Sequence, residues 1–278
     1  MIQTAGMVLR GGVKMLESVI EEGASRDARV LMAHVLGLEP GRLTTELSRT
    51  INPAQVSQFE HLVRRRMGRE PVSHITGKRL FWGRDFRVNR DVLDPRPETE
   101  TLIALALAGS TPNHILDLGT GSGCILITLL AEWSDALGVA SDLSEAAMTV
   151  ARCNAARLGV SERARFIASD WFAGIDGVFD LIVSNPPYIS SNEMPNLQPE
   201  VSRFEPLMAL TPGGDGLGAY RRIATGLARH LAPGGKALFE IGASQGETVS
   251  EIMRSTGLGD VKLHTDLDGR DRVVEIRR

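Results

Sequence analysis

The sequence predicts an α/β protein, in which a mostly parallel sheet covered by helices on both faces follows a small helical bundle. From residue 113 onward, strands, glycine-rich loops and helices alternate, which is typical of parallel sheets. The last two predicted strands have no helix between them, so they should form an antiparallel C-terminal hairpin. The first part of the chain shows helical periodicity without a glycine-rich loop, which favours a bundle.

The composition favours a folded chain with a substantial apolar core. The 278 residues are 42% hydrophobic and carry a formal net charge of −3, which excludes global disorder. Cys124 and Cys153 are the two cysteines and cannot form a disulfide framework, so we expect a cytoplasmic protein. The N-terminal residues lack a signal-peptide core, and no apolar run is long enough to span a membrane. We therefore expect no membrane association.

Charge is distributed unevenly along the chain. Residues 1–96 carry 16 Lys and Arg against 11 Asp and Glu, a formal +5, whereas residues 97–278 carry 15 against 23, a formal −8. A basic N-terminal part and an acidic C-terminal part indicate two modules with different partners. The acidic balance of the second module argues against a nucleic-acid groove in it.

We predict three segments: a helical domain over residues 1–77, a β-hairpin linker over 78–94 and the α/β domain over 95–278. In the helical domain, Asn52 and Pro53 are typical of an N-cap followed by the first residue of a helix. In the linker, alternation of apolar and polar residues on either side of a turn predicts the hairpin. The alternating apolar residues are Leu80, Trp82, Phe86 and Val88.

The α/β domain contains seven predicted strands separated mainly by helices. The strands are His114–Asp117, Leu137–Asp142, Ala164–Ser169, Phe179–Asn185, Lys236–Ile241, Val261–Thr265 and Arg272–Ile276. Pro97 opens a helix before the first strand, and the later predicted helices are Cys124–Ala131, Glu145–Leu158 and Ala219–His230.

A glycine-rich loop follows the first of these strands and is the strongest local signal for a ligand. The loop residues are Gly119, Thr120, Gly121, Ser122 and Gly123. Glycines allow the backbone to approach a ligand closely or to adopt positive φ. The strand before the loop carries Asp117, and the next strand ends in Asp142, whose carboxylate can bind both ribose hydroxyls. This combination predicts S-adenosylmethionine binding rather than a plain βα turn.

Two further strand ends contribute candidate residues to the same site. Asp170 follows the third strand and could accept a hydrogen bond from the adenine amino group, while Trp171 could pack against the ring. The fourth strand ends in Asn185, followed by Pro186, Pro187 and Tyr188.

The Asn-Pro-Pro-Tyr motif suits a planar amino group as the substrate. The side-chain oxygen of Asn185 and the carbonyl of Pro186 can accept hydrogen bonds, because the prolines have no N–H donors to compete. Tyr188 offers an aromatic face to a flat substrate. Two acceptors would fix both amino hydrogens and direct the nitrogen lone pair at an electrophilic methyl group.

The chain resembles the peptide-chain release factor glutamine N5-methyltransferases of the HemK/PrmC type, over about residues 15 to 277. The resemblance rests on the order of the two domains and on a set of motifs. These are the Asn-Pro-Pro-Tyr motif, Pro95-Arg96-Pro97-Glu98-Thr99-Glu100, Asp170-Trp171-Phe172, Phe204-Glu205-Pro206 and Gly213-Gly214-Asp215-Gly216-Leu217. One departure from the family pattern is Asp94, where an aliphatic residue is common.

The resemblance implies a class I Rossmann-like methyltransferase that methylates the glutamine of the Gly-Gly-Gln motif in class I release factors. It implies S-adenosylmethionine as cofactor, S-adenosylhomocysteine as product, and no metal. Catalytic roles are implied for Asn185, Pro186 and Tyr188. Cofactor contacts are implied at Asp117, the glycine loop, Asp142, Asp170, Trp171 and Asn185. Substrate contacts are implied at Arg96, Glu98, Asn185, Pro186, Pro187 and Tyr188. We expect a monomer without stable nucleic-acid binding.

Two other functions are compatible with parts of the pattern: an adenine-N6 methyltransferase acting on DNA or RNA, and a non-catalytic S-adenosylmethionine-binding module.

Two other features of the sequence each have two interpretations. The basic run formed by Arg64, Arg65, Arg66 and Arg69 is either a solvated helix face or a docking surface for the protein substrate. Glu98 and Glu100 either border the substrate entrance or cap a helix.

Overall fold

The computed structural model describes residues 3–278, which form two compact units. The first unit comprises the described part of Met1–Gly77 together with Pro199–Phe204, and the second comprises Lys78–Gln198 together with Glu205–Arg278. Residues 1 and 2 of the predicted helical domain lie outside the described residues. Two separate stretches of the chain therefore form the first unit. The predicted helical domain over residues 1–77 does not include the second stretch, residues 199–204. The predicted hairpin linker lies in the second unit.

The first unit is helical and has its own apolar core. Helices α1 and α2 pack against each other and against α3, and their buried faces include Leu16, Leu31 and Phe59. The elements are β1 (Gln3–Thr4), α1 (Ala5–Glu17), α2 (Ala24–Leu36), a 3₁₀ helix (Pro40–Glu46), β2 (Thr50–Ile51), α3 (Pro53–Met67), α4 (Val72–Thr76) and, from the later segment, α8 (Pro199–Phe204). Strands β1 and β2 pair antiparallel.

Helix α3 begins with the predicted N-cap. The side-chain oxygen of Asn52 accepts a hydrogen bond from the Gln55 N–H at 2.9 Å, and the side-chain oxygen of Gln55 accepts one from the Asn52 N–H at 3.0 Å. Pro53 occupies the first helical position, where its missing N–H costs nothing. This reciprocal capping box satisfies two N–H groups at the start of the helix, and it confirms the sequence prediction.

The basic run at the end of α3 is largely neutralised by acidic neighbours. Arg65 donates two hydrogen bonds to Glu70, one of them at 2.8 Å from Nε. Arg64 is the exposed member: 59% of its side chain is accessible, and its nearest carboxylate, on Glu60, is 3.8 Å away. The solvated-face interpretation therefore fits Arg64 but not the run as a whole.

Arg66 and Arg69 hold the returning segment within the first unit. The buried guanidinium of Arg66 pairs with Asp27 at 2.8 Å and with Glu200 at 2.9 Å. Arg69 pairs with the second oxygen of Glu200, also at 2.9 Å. We call these four residues the Glu200 clasp. Since Glu200 lies on α8, the clasp joins the two parts of the chain that form this unit.

The second unit is built on a seven-stranded sheet with the order β10-β11-β9-β8-β5-β6-β7. Strands β9, β8, β5, β6 and β7 are parallel, whereas β11 pairs antiparallel with both β9 and β10. This confirms the predicted parallel sheet with an antiparallel C-terminal hairpin. The strands are β5 (His114–Leu118), β6 (Leu137–Asp142), β7 (Ala164–Ala168), β8 (Phe179–Ser184), β9 (Leu231–Glu240), β10 (Val261–Thr265) and β11 (Asp271–Arg277).

Helices and apolar residues cover both faces of this sheet. Along β5, Ile115 belongs to one buried cluster and Leu116 to another, because successive strand residues point to opposite faces. Among residues 3–278, no helix is long and apolar enough to span a membrane. The helices of the second unit are α5 (Glu100–Leu107), α6 (Cys124–Glu132), α7 (Glu145–Arg157), α9 (Leu207–Leu210), α10 (Gly218–His230) and α11 (Gly246–Arg254).

The hairpin and β9 differ in detail from the prediction. The hairpin pairs β3 (Lys78–Phe81) with β4 (Arg84–Arg87). Its buried residue on β3 is Phe81, while Leu80 is 66% exposed, because the turn at Trp82 and Gly83 sets a register that faces Phe81 inward. Strand β9 begins at Leu231, ahead of the predicted Lys236, and includes the Pro-Gly-Gly sequence at residues 233–235.

Candidate active site

A cavity of about 350 Å³ lies in the second unit, at the carboxyl ends of β5, β6, β7 and β8. Ligands bind at this edge of open parallel sheets, where the loops diverge, and the volume falls within the usual range for small-molecule sites. Most of the predicted site residues meet here. The predicted residues that line the cavity are Arg96, Gly119, Thr120, Gly121, Ser122, Asp142, Asp170, Trp171, Asn185 and Pro187.

Five predicted site residues do not line the cavity. Asp117 is fully buried, and Gly123 caps the start of α6. Pro186 is buried as well, Tyr188 is partly buried, and Glu98 lies in the 3₁₀ turn before α5. These residues can influence the site through their neighbours or their backbone, but their side chains do not form its wall.

The glycine loop is shaped by positive φ angles and by the carboxylate of Asp142. Gly121 has φ of +55°, and its N–H donates to Asp142 Oδ2 at 2.9 Å. The other oxygen of Asp142 accepts a hydrogen bond from the Ser144 N–H at 2.8 Å. At Gly123, where φ is +80°, a Cβ atom would lie 2.6 Å from Ile127 Cδ1. The loop thus requires glycine for both its conformation and its packing.

Asp117 places a buried carboxyl group next to this loop. One of its oxygens accepts a hydrogen bond from the Thr120 hydroxyl at 2.7 Å, whereas Oδ1 has no hydrogen-bond partner within residues 3–278. The pKa of Asp117 is raised to about 7, mainly by burial and in small part by the nearby Asp142, while the Thr120 hydroxyl lowers it. An unpartnered buried carboxylate oxygen is costly, and the positive charge of the ammonium group of S-adenosylmethionine, bound in the adjacent cavity, would stabilise the ionised form. The residues present therefore fit the predicted cofactor.

The loop after β7 contributes Trp171 and an ion pair. Trp171 has φ of +55°, an uncommon conformation for a bulky residue, and it lines the cavity beside the glycine loop. The carboxylate of Asp170 pairs with the guanidinium of Arg222 on α10. Asp170 was predicted to bind an adenine amino group, and in the structure one of its oxygens is already engaged by Arg222.

The two motifs that define the family resemblance meet at a hydrogen bond. The side-chain nitrogen Nδ2 of Asn185 donates to the Thr99 hydroxyl at 3.2 Å. Thr99 is buried at the end of the 3₁₀ turn Pro97–Thr99. With Nδ2 occupied in this way, the Oδ1 end of the Asn185 amide is available as an acceptor. Burial, together with the nearby Glu240, raises the pKa of Tyr188 to about 12, so its phenol remains protonated at neutral pH.

Arg96 is oriented by a buried carboxylate. Its Nη2 atom lies 2.8 and 2.7 Å from the two oxygens of Glu205. Burial raises the pKa of Glu205 to about 7. Asp94, which departs from the family pattern, adds to this increase and pairs with Arg79 at 3.5 Å. Arg96 lines the cavity, and its remaining N–H groups are available to a ligand.

Several residues of the site were not predicted from the sequence. Thr99, Leu143, Met208 and Arg222 line the cavity, and Glu240 lies at the end of β9. The position of Glu240 at the carboxyl end of a parallel strand, like that of Asp142, was a signal that could have identified it. Arg222 and Met208 lie on helices and carry no comparable sequence signal.

Comparisons with known families and relatives cover both units. The PrmC N-terminal domain family matches residues 8–77, and the methyltransferase small domain family matches residues 97–203. A release factor glutamine methyltransferase from Cereibacter sphaeroides is 52% identical over 98% of this chain and 98% of its own. One from Rhodospirillum rubrum is 44% identical over 98% of this chain and 85% of its own.

Solved structures of other methyltransferases share the fold at low sequence identity. A methyltransferase from Pyrococcus furiosus has a TM-score of 0.53 at 17% identity, covering 71% of this chain and 90% of its own. A 16S rRNA N2 G1207 methyltransferase from T. thermophilus, in complex with AdoMet and guanosine, has a TM-score of 0.52 at 15% identity. It covers 72% of this chain and 49% of its own. These similarities support the Rossmann-like methyltransferase fold.

Proposed function

Because the chain belongs to the release factor glutamine methyltransferase family, we propose that it methylates the side-chain amide nitrogen of a glutamine. The methyl donor is S-adenosylmethionine, and the glutamine belongs to the Gly-Gly-Gln motif of class I peptide-chain release factors. The observation that carries this proposal is the available Oδ1 acceptor of Asn185 on the wall of the cavity. An acceptor at this position suits an amide NH₂ group.

The cofactor would be held by the glycine loop and the two acidic strand residues. The carboxylate of Asp142, oriented by the N–H groups of Gly121 and Ser144, can accept hydrogen bonds from ribose hydroxyls. Asp117 provides a negative charge for the ammonium group, and Trp171 an aromatic surface beside the loop. When bound, S-adenosylmethionine supplies an electrophilic methyl group on a sulfonium centre.

The residues after β8 would orient the substrate amide. Asn185 Oδ1 and the Pro186 carbonyl would accept its two N–H groups, which holds the nitrogen in place and makes its lone pair available. Tyr188 is neutral and supports the loop, since its carbonyl accepts a hydrogen bond from Gln245 at 3.0 Å. Arg96 can donate to a carbonyl of the peptide substrate while Glu205 holds it. No residue needs to act as a strong base, because the amide nitrogen becomes acidic once it is alkylated.

The helical unit is the proposed docking surface for the protein substrate, with Arg64 as the exposed member of its basic run. Charge reversal by Arg64→Glu should raise KM for the release factor and leave cofactor affinity unchanged. Arg66 is unsuitable for this test, because it is buried in the Glu200 clasp. We further propose that the protein acts as a monomer in the cytoplasm, where its substrate takes part in translation termination.

The test of this function is methyl transfer to separate substrates. The purified protein is incubated with labelled S-adenosylmethionine and, in parallel, with a release factor, DNA and RNA, and the product is located by mass spectrometry. We expect one methyl group on the Gly-Gly-Gln glutamine, and Asn185→Ala should abolish it while cofactor binding remains. Labelling of adenine, with none on the glutamine, would overturn the proposal in favour of a nucleic-acid enzyme. Cofactor binding without transfer to any substrate would indicate a binding module.

A further inference from the structure

A buried carboxyl group that does not line the cavity ends the strand beside β8, where Ser184, just before Asn185, pairs with Phe239, just before Glu240. Glu240 ends β9 and is 1% exposed. Its Oε2 atom has no hydrogen-bond partner among the described residues, and the nearby Thr99 hydroxyl lowers the pKa of this carboxyl group. Retaining a buried carboxyl group with an unpartnered oxygen costs stability. The question is therefore which residue of the neighbouring site the Glu240 carboxyl group could affect.

Thr99 connects this carboxyl group to Asn185. Its hydroxyl has one proton to donate and lone pairs with which to accept. An ionised Glu240 carboxylate can only accept, so it attracts the Thr99 proton, as the lowering of its pKa by Thr99 indicates. The Thr99 oxygen can then only accept a hydrogen bond from Asn185. In the Asn185 side chain only Nδ2 carries hydrogens to donate, so Nδ2 must face Thr99. The alternative orientation of the Asn185 amide would place two acceptors, Oδ1 and the hydroxyl oxygen, against each other.

We propose that Thr99 and Glu240 are positioning residues that fix the amide orientation of Asn185, so that its Oδ1 atom faces the substrate. This inference rests on the proposed function, since it assigns how the acceptor of that reaction is kept in place. It also gives a physical reason for the Pro-Arg-Pro-Glu-Thr-Glu motif to accompany the Asn-Pro-Pro-Tyr motif. The fifth residue of the first motif holds the first residue of the second.

The charged surroundings of Glu240 are mixed. The pKa of Glu240 is raised to about 7, because burial and Glu98 outweigh the lowering effects of Thr99, Arg272 and Arg96. The phenols of Tyr188 and Tyr220 also face it, and burial raises the pKa of both. Above neutral pH the carboxylate form predominates, and this is the form that fixes the direction of the hydrogen bonds.

The test compares two substitutions at position 99 with a control at another buried threonine. Thr99→Val removes the hydroxyl at nearly constant shape, while Thr99→Ser retains it. Thr128→Val is the matched control, because Thr128 is fully buried in α6 and its hydroxyl has no partner within residues 3–278. For each protein we would measure kcat and KM with a release factor, and the dissociation constant of S-adenosylmethionine by calorimetry.

We expect Thr99→Val to lower kcat by about tenfold to a hundredfold, because the acceptor is no longer held in one orientation. Cofactor affinity should change by less than about twofold, Thr99→Ser should restore most of kcat, and Thr128→Val should resemble the unmodified protein. Wild-type kcat in Thr99→Val, or an equal loss in Thr99→Ser, would overturn the proposal, since the hydroxyl would then be irrelevant or only the packing would matter.

A measurement without substrate separates this inference from the proposed function. The side-chain NH₂ signals of Asn185, assigned by their loss in Asn185→Asp, can be followed by ¹⁵N NMR. We expect them to be protected from solvent exchange in the unmodified protein and in Thr99→Ser, and exposed in Thr99→Val. If the unmodified protein fails to methylate a release factor but shows this pattern, the proposed function fails and the positioning role stands. Unprotected signals in the unmodified protein contradict the positioning role whatever the activity.

Discussion

The charge state of Asp117 is set by its burial and bears directly on cofactor binding. With a pKa of about 7, the carboxyl group is partly protonated at neutral pH in the free protein. Because its folded pKa exceeds the ordinary value near 3.8, the folded state binds more protons than the unfolded state between these two values. The contribution of Asp117 to stability therefore decreases as pH rises through this range. A bound cation reverses this balance by favouring the ionised form.

We expect the affinity for S-adenosylmethionine to rise with pH through this window. At about pH 6 most Asp117 is protonated, so binding the ammonium group must displace a proton, and the affinity should be about tenfold lower than at about pH 7.5. Calorimetry in two buffers of different ionisation enthalpy would measure both the affinity and the proton released. Asp117→Asn should bind more weakly and lose this pH dependence. Equal affinity at both pH values in the unmodified protein would contradict the assignment.

At the scale of single residues, the sequence predicts strand-end positions well and hydrogen-bond partners poorly. Asp142 and Asn185 could be placed because each ends a recognisable strand, and such ends converge at one edge of a parallel sheet. Thr99 and Glu240 are far apart in sequence, and their pairing depends on side-chain packing that local patterns do not encode. The engagement of Asp170 by Arg222 escaped prediction for the same reason.

At the scale of elements, the N-terminus of α3 has a defined energetic role. Its capping box satisfies N–H groups that the helix itself leaves without partners. We expect Asn52→Ala to lower the free energy of unfolding by about 1 kcal/mol. Thermal or urea unfolding would measure the change, and Asn52→Ser should retain most of the stability because serine is also a good N-cap.

Cofactor affinity provides the control for this prediction. Since Asn52 lies in the first unit and the cavity lies in the second, the dissociation constant of S-adenosylmethionine should stay unchanged in Asn52→Ala. A stability equal to that of the unmodified protein would mean that solvent replaces the cap at no cost.

The helices and strands themselves were predictable where the periodicity was regular. Strands β6 and β10 have the predicted bounds, because continuous or alternating apolar residues are flanked there by turn residues. The register of the hairpin was less predictable, since Leu80, Phe81 and Trp82 are all apolar and the sequence alone does not indicate which of them faces inward. The turn geometry decides in favour of Phe81.

At the scale of the whole molecule, the first unit is completed by a segment from the second half of the chain. The Glu200 clasp places one carboxylate between two guanidinium groups, one of which is buried. Breaking a buried ion pair leaves an uncompensated charge, which costs more than the pair contributes when intact. The two arginines also hold the pKa of Glu200 below its usual value, despite partial burial.

We expect Glu200→Ala to lower the free energy of unfolding by about 2–3 kcal/mol. Because Arg66 would still pair with Asp27, the loss of stability should be smaller than if both of its carboxylate partners were removed. Arg64→Ala is the matched control on the same basic run, and it should change stability by less than about 0.5 kcal/mol, because its side chain is exposed and its ion pair is long. Urea unfolding monitored by circular dichroism would compare the two variants. A similar small effect in both would show that the clasp contributes little.

The clasp also imposes an order of events on a newly made chain. During synthesis, Arg66 emerges with Asp27 already available, but Glu200 follows more than a hundred residues later. At about 5–20 residues per second, this delay amounts to roughly 7–27 s. For that interval the N-terminal helices are present with Arg66 paired only to Asp27, and Arg69 lacks its carboxylate partner. Completion of the first unit is therefore deferred until most of the parallel sheet has left the ribosome.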